Sequence, residues 1–194
     1  MWPAPRGWRL IEQALVFASI VLGVAVAFEL ENLNRVLRSD KVKWHWAQPA
    51  FALFILLSII AYWWGAASQP DRAISFAEFM PVMFQLVMLV LLAAVSLPDK
   101  VGEEGVDLAE YYQSNRRYMW LLVSLYFWSI HIGYLGHVFS TSDTAWSVIM
   151  RAGPDTAFGL LFIGLMFARR WSLVAVGFAF LALSPILWAA RTLG

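Results

Sequence analysis

Five or six long apolar stretches, separated by short charged loops, leave this chain little choice of fold class. A run of about 18 or more residues nearly free of charge reads as a helix that crosses a bilayer. In the hydrocarbon core only helices and closed barrels satisfy their own backbone groups. With 61% hydrophobic residues and a mean hydropathy of +0.66 over 194 residues, the chain lies well above the roughly half-apolar norm of soluble domains. We therefore expect an all-α, six-span transmembrane helix bundle, built as a single integral membrane domain.

The expected spans are about 10–33, 46–67, 74–97, 118–139, 154–169 and 171–190. Arg6 and Arg9 before an apolar run, with Ala25-Val26-Ala27 further on, imitate a cleavable signal; a retained first helix is expected instead. The second span has Pro49 in its first turn, where a missing N–H is tolerated. Trp44 and Trp46 flank one of its ends and Tyr62, Trp63 and Trp64 the other. These belts lie about 27 Å apart, close to the hydrocarbon thickness. The fifth span is the weak one. Its uncharged run, Thr156 to Ala168, is short, and Gly153-Pro154 is expected to break a helix. An interfacial segment at Thr144–Met150 followed by a short span is expected; the alternative is a longer helix carrying Arg151 and Asp155 inside.

Positive charge orients the spans. The loops after spans one, three and five hold Arg35, Arg38, Lys41, Lys43, Lys100, Arg116, Arg117, Arg169 and Arg170, nine of the 14 Lys and Arg residues. Those loops are expected in the cytoplasm and both termini outside. The longest loop, Asp99–Arg117, reads as a solvated connector, with a partner-docking surface as its alternative. Within it Asp107 and Glu110 resemble a helix start, so Leu108–Arg117 could lead helically into span four. Two proline coincidences, Pro49 with Pro154 and Pro81 with Pro185, suggest a weak 3+3 inverted repeat of the kind found in transporters.

Ionisable residues inside a membrane usually face protein or water. Glu78, Pro81 and Gln85 share one helical face in span three, where a carboxyl and an amide beside the carbonyl freed by proline could line a proton or cation path. The alternative is a Glu78 near the span's start that reaches the interface. Arg151 and Asp155, four residues apart beside the Gly-Pro break, join that path if helix five starts early. In span one Ser19, Gly23 and Ala27 recur every four residues, a small-residue stripe expected to be a helix-packing interface within the fold or across a dimer. Glu12 precedes it on the same face. Glu29 and Glu31, at the cytoplasmic end, are expected to meet basic residues such as Arg35 and Arg38. His131 is the deep histidine of span four; a hydrogen-bonded structural role is expected, and haem or chlorophyll ligation is the one cofactor option.

No cofactor and no metal site are otherwise expected. Cysteine is absent and the formal net charge is +1, so thiolate chemistry is excluded and nucleic acid is not an expected partner. Nucleophile, histidine-box and phosphate-loop motifs are missing, and no enzyme is expected.

Ile20-Val-Leu-Gly-Val through Arg38, Val42-Lys-Trp-His-Trp, Leu97-Pro-Asp, Val106-Asp-Leu-Ala-Glu-Tyr-Tyr and Asn115-Arg-Arg-Tyr together resemble a group of uncharacterised bacterial polytopic inner-membrane proteins. The resemblance covers about two-thirds of the chain. It implies a bacterial inner (plasma) membrane location and assigns no residue a role. The expected function is that of a non-catalytic subunit or scaffold, with the lipid bilayer and other membrane subunits or itself as partners. The alternative is a small homo-oligomeric channel or a proton- or cation-coupled transporter.

Overall fold

The computed structural model describes the backbone of residues 6–67 and 75–192, and the side chains of residues 15–66 and 75–182. Its elements are α1 (Arg6–Leu37), β1 (Val42–Lys43), α2 (Ala47–Ala67), α3 (Phe76–Val95), β2 (Val106–Asp107), α4 (Leu108–Thr141), α5 (Ala145–Phe167) and α6 (Trp171–Thr192). The chain is thus helical except for one two-residue strand pair among the described residues. Among the described residues, five helices are long and apolar enough to cross a membrane: α1 over Leu15–Leu37, then α2, α3, α4 and α5. The described side chains of α6, Trp171–Ala182, form a shorter apolar stretch.

The apolar residues point outward as well as inward. Ile20, Leu53, Val87, Ile132, Leu160 and Val176 are all exposed. A water-facing surface of that kind would drive aggregation, whereas against lipid it carries no penalty. Trp44, Trp46, Trp63 and Trp64 are exposed at the two ends of α2, as the aromatic belts require.

The chain divides into two compact units, Met1–Tyr111 and Tyr112–Gly194, with the boundary inside α4. In the first, α1 lies against both α2 and α3. Its buried stripe is Ala18, Leu22, Ala25, Glu29, Asn32 and Val36, alternating steps of four and three, the spacing that keeps one face of a helix on its neighbours. Phe51, Ile55 and Ile59 of α2 and Leu86, Leu89, Leu92 and Ala93 of α3 complete this core.

The loop after α1 and the loop after α3 are joined at one end of the unit. β1 and β2 pair in parallel, Val42 opposite Val106 and Lys43 opposite Asp107. The Val106 N–H donates to the Lys41 carbonyl at 3.1 Å, and Lys41 Nζ donates to the Glu103 carbonyl at 2.9 Å. Gly105, at φ +86°, makes this approach: a Cβ there would collide with the Lys41 carbonyl. The long charged loop is therefore pinned at its centre rather than a free connector. Asp107 Oδ1 then accepts from the N–H groups of Ala109 (2.9 Å) and Glu110 (3.3 Å), starting α4. The helical lead at Leu108–Arg117 is present and runs on unbroken.

In the second unit, Tyr112 and Trp120 of α4 are fully buried, and the Trp120 indole donates to the Tyr112 hydroxyl at 2.9 Å. Trp120 stacks on Phe162 of α5 at 6.0 Å and meets Phe178 of α6 edge-on at 5.7 Å. Gly159 admits the α4 aromatics: a Cβ there would sit 2.8 Å from Phe127 and 2.9 Å from Trp128.

The expected break at Gly153-Pro154 does not occur. α5 is one helix from Ala145 to Phe167, with Pro154 inside it and Thr144 as its cap, accepting from the Ser147 N–H at 3.2 Å. The interfacial segment and short 154–169 span are corrected accordingly. Proline removes one backbone donor, but outside donors can serve the carbonyls it disturbs, which is how helices in membranes keep proline. The carbonyl that Pro154 leaves without its backbone donor is that of Met150, four residues back; the adjacent Arg151 carbonyl accepts from the Tyr134 hydroxyl at 3.1 Å. Pro49 lies in the first turn of α2 while Pro154 lies mid-helix, so the two do not hold equivalent places, and Pro185's side chain lies outside the described residues.

Candidate functional site

A cluster of buried polar side chains sits in the first unit. Glu29 is 2% exposed, Asn32 7%, Gln48 and Ser96 0%. Three elements deliver them: the inward stripe of α1, the first turn of α2 and the C-cap of α3. The Gln48 amide donates to the Ser96 carbonyl, tying the start of α2 to the end of α3. Ser96 is close enough to interact with Glu29. Its hydroxyl, however, donates to the Ala93 carbonyl at 2.9 Å. Neither carboxyl oxygen of Glu29 has a hydrogen-bond partner among the described residues.

An ionised carboxylate buried without a donor costs several kcal/mol. A proton or a cation would remove that cost, and the neighbouring amide and hydroxyl oxygens supply further polar atoms in an otherwise apolar surrounding. Glu29 stands eight residues before the end of α1, about 12 Å along the axis from the paired loops. Chemically the cluster is suited to hold and release a small positive charge.

The expectation that Glu29 meets Arg35 or Arg38 is overturned by its burial. Glu31 does behave so: Arg35 Nη2 bonds its carboxylate at 2.8 Å, one helical turn on. The sequence carried a signal that would have separated the two. Glu29 and Asn32 fall on the four-three stripe of small and apolar residues, and Glu31 does not.

None of the site residues expected from the sequence is a member of this cluster. Glu78 is exposed and closes a capping box on α3: Ser75 Oγ accepts from the Glu78 N–H at 3.2 Å, and the Ser75 N–H donates to Glu78 Oε2 at 2.8 Å. Gln85 is half-buried one turn beyond Pro81. Arg151 is exposed and donates to Thr141 and Ser142, at 3.2 and 3.3 Å; Asp155 is half-buried. Ser19, Gly23 and Ala27 lie on the exposed face of α1, with open space beside Gly23, and the helix packs within the unit through its other stripe. The side chain of Glu12 lies outside the described residues.

His131 is 3% exposed, between Phe127 at 5.2 Å and Trp128 at 5.4 Å. Its Nε2 lies 2.9 Å from the Thr156 hydroxyl, which itself donates to the Ala152 carbonyl at 2.8 Å. Ligation of haem or chlorophyll through Nε2 would break the bond that joins α4 to α5. Among the described residues no group of three or more His, Asp or Glu side chains is arranged for a metal ion.

No family model, curated protein or solved structure matches this chain.

Proposed function

We propose that this chain is a multi-pass membrane protein that binds a proton or small cation at Glu29 and passes it across the bilayer. The observation that carries this reading is the Glu29 carboxyl, buried in a cluster with Asn32, Gln48 and Ser96, where Ser96 is the polar side chain acting on it and no cation pairs with it among the described residues. Evolution tolerates such a group in a membrane chiefly where it works. The reading favours the channel or transporter alternative over the scaffold and moves its path from Glu78 to Glu29. The charge distribution and the resemblance support a bacterial inner membrane with both termini outside, and α6, 22 residues long, serves as the sixth span.

In liposomes with an imposed pH or cation gradient, the protein is expected to dissipate that gradient faster than protein-free vesicles. Glu29→Gln, which keeps shape and removes the charge, is expected to reduce the rate to the protein-free level. An unchanged rate would remove Glu29 from the mechanism.

A second reading, a subunit of a larger membrane complex, draws on the open face around Ser19, Gly23 and Ala27, since small residues let another helix approach closely. Native mass spectrometry of gently solubilised protein distinguishes it by showing a hetero-complex.

A further inference from the structure

Among the described residues, the second unit holds a buried cation with no carboxylate of that unit beside it. Arg116, in α4, is 9% exposed. Its Nη1 donates to the Gln113 backbone carbonyl and, at 3.3 Å, to Gln113 Oε1. Its Nε is buried without a partner among the described residues. The charged side chains acting on the guanidinium are Arg169 and Arg117, both cations. Like charges so placed destabilise the fold unless something negative joins them.

Gln113 builds this arrangement. While its carbonyl groups hold Arg116, its amide Nε2 donates to the Arg169 carbonyl at 3.2 Å. One side chain thereby anchors the α5–α6 turn beside α4 and brings the exposed Arg169 and Arg170 to the level of Arg116. Arg117 is exposed on the next position of α4. One turn before Arg116 the Tyr112 ring meets that of Trp171 at 5.7 Å. The acidic residues of this unit, Asp143 and Asp155, belong to the far end of α4 and to α5, so no carboxylate of the unit completes the cluster.

We infer that Arg116, Arg117, Arg169 and Arg170 form a binding site for the phosphate of an anionic phospholipid headgroup. The chemistry fits on three counts. Guanidinium forks match phosphate oxygens. The cluster stands where α4 and α6 enter their apolar stretches at Tyr118 and Trp171, the level of lipid headgroups. Basic pockets on the cytoplasmic side of membrane helices are where anionic lipid binds. This inference is independent of Glu29, which belongs to the other unit.

The test is lipid retention by the full-length protein, read by native mass spectrometry and by thermal unfolding in detergent. Phosphatidylglycerol, phosphatidylcholine and inorganic phosphate are added separately. Phosphatidylglycerol is expected to be retained preferentially and to raise the unfolding temperature. Arg169→Gln, an exposed substitution that leaves the core alone, is expected to weaken retention about fivefold, the effect of one cation near an anionic headgroup. Arg117→Gln is a second exposed variant with the same expectation. Equal retention of the two lipids, or a preference unchanged in both variants, would overturn the site. Protection by inorganic phosphate as large as that by phosphatidylglycerol would overturn its assignment to lipid.

Discussion

Glu29 and Glu31 differ by two positions on α1 and by everything in their surroundings. A helix turns about 100° per residue, so two residues place them on nearly opposite faces. Glu31 reaches solvent and Arg35; Glu29 enters the core. The i, i+4 pairing of Glu31 with Arg35 was legible in the sequence because it is local. The burial of Glu29 was not, because position near a helix end says nothing about rotational phase until the stripe is counted. Glu78 has the opposite history. Its place on a face with Pro81 and Gln85 suggested a path, yet Ser75, three residues earlier, makes it a cap. Ser75→Ala is expected to cost about 1 kcal/mol in thermal unfolding, the usual value of a lost cap. Glu78→Gln is expected to leave gradient dissipation unchanged, since glutamine also closes a capping box. A collapse of transport in that variant would restore Glu78 to the path.

At the scale of whole elements, α5 shows where local signals mislead. Gly153-Pro154 is a strong breaker in water, where a freed carbonyl finds a solvent partner. In lipid it finds none, and a helix that continues past Pro154, losing only the backbone donor to the Met150 carbonyl, leaves fewer groups unpaired than a broken one. The glycines of this helix also have different duties. A Cβ at Gly153 would meet only Ile149 at 3.8 Å, whereas one at Gly159 would crowd Phe127 and Trp128. Gly159→Ala is therefore expected to destabilise the protein by about 1–3 kcal/mol, the range for overpacking a fitted core. Gly153→Ala is expected to be neutral or mildly stabilising. Equal unfolding temperatures for the two variants would contradict the α4–α5 packing described. The paired strands β1 and β2 were beyond reach of the sequence, since each has two residues and the register depends on Gly105.

For the molecule as a whole, membrane class was legible because apolar length alone sets it. The number and boundaries of the helices were nearly so, the helical lead of α4 from Leu108 included, apart from α5. The candidate site was not, since it joins residues from three helices whose relative rotation no single stretch encodes. Orientation is directly testable, because the chain has no cysteine and single cysteines can serve as clean reporters. Glu104→Cys and Asp40→Cys are expected to react with an impermeant reagent only after spheroplasts are opened. Asp143→Cys is expected to react in intact spheroplasts. The reverse pattern would invert the topology.

The central claim is that Glu29 is an exchangeable charge site inside the first unit. Infrared difference spectroscopy of the reconstituted protein, recorded while pH or cation concentration is stepped, reads a carboxyl group by its own vibration. A carboxyl band that responds to the step in the native protein and is absent in Glu29→Gln is the expected result. A response of equal size in Glu29→Gln would contradict the claim.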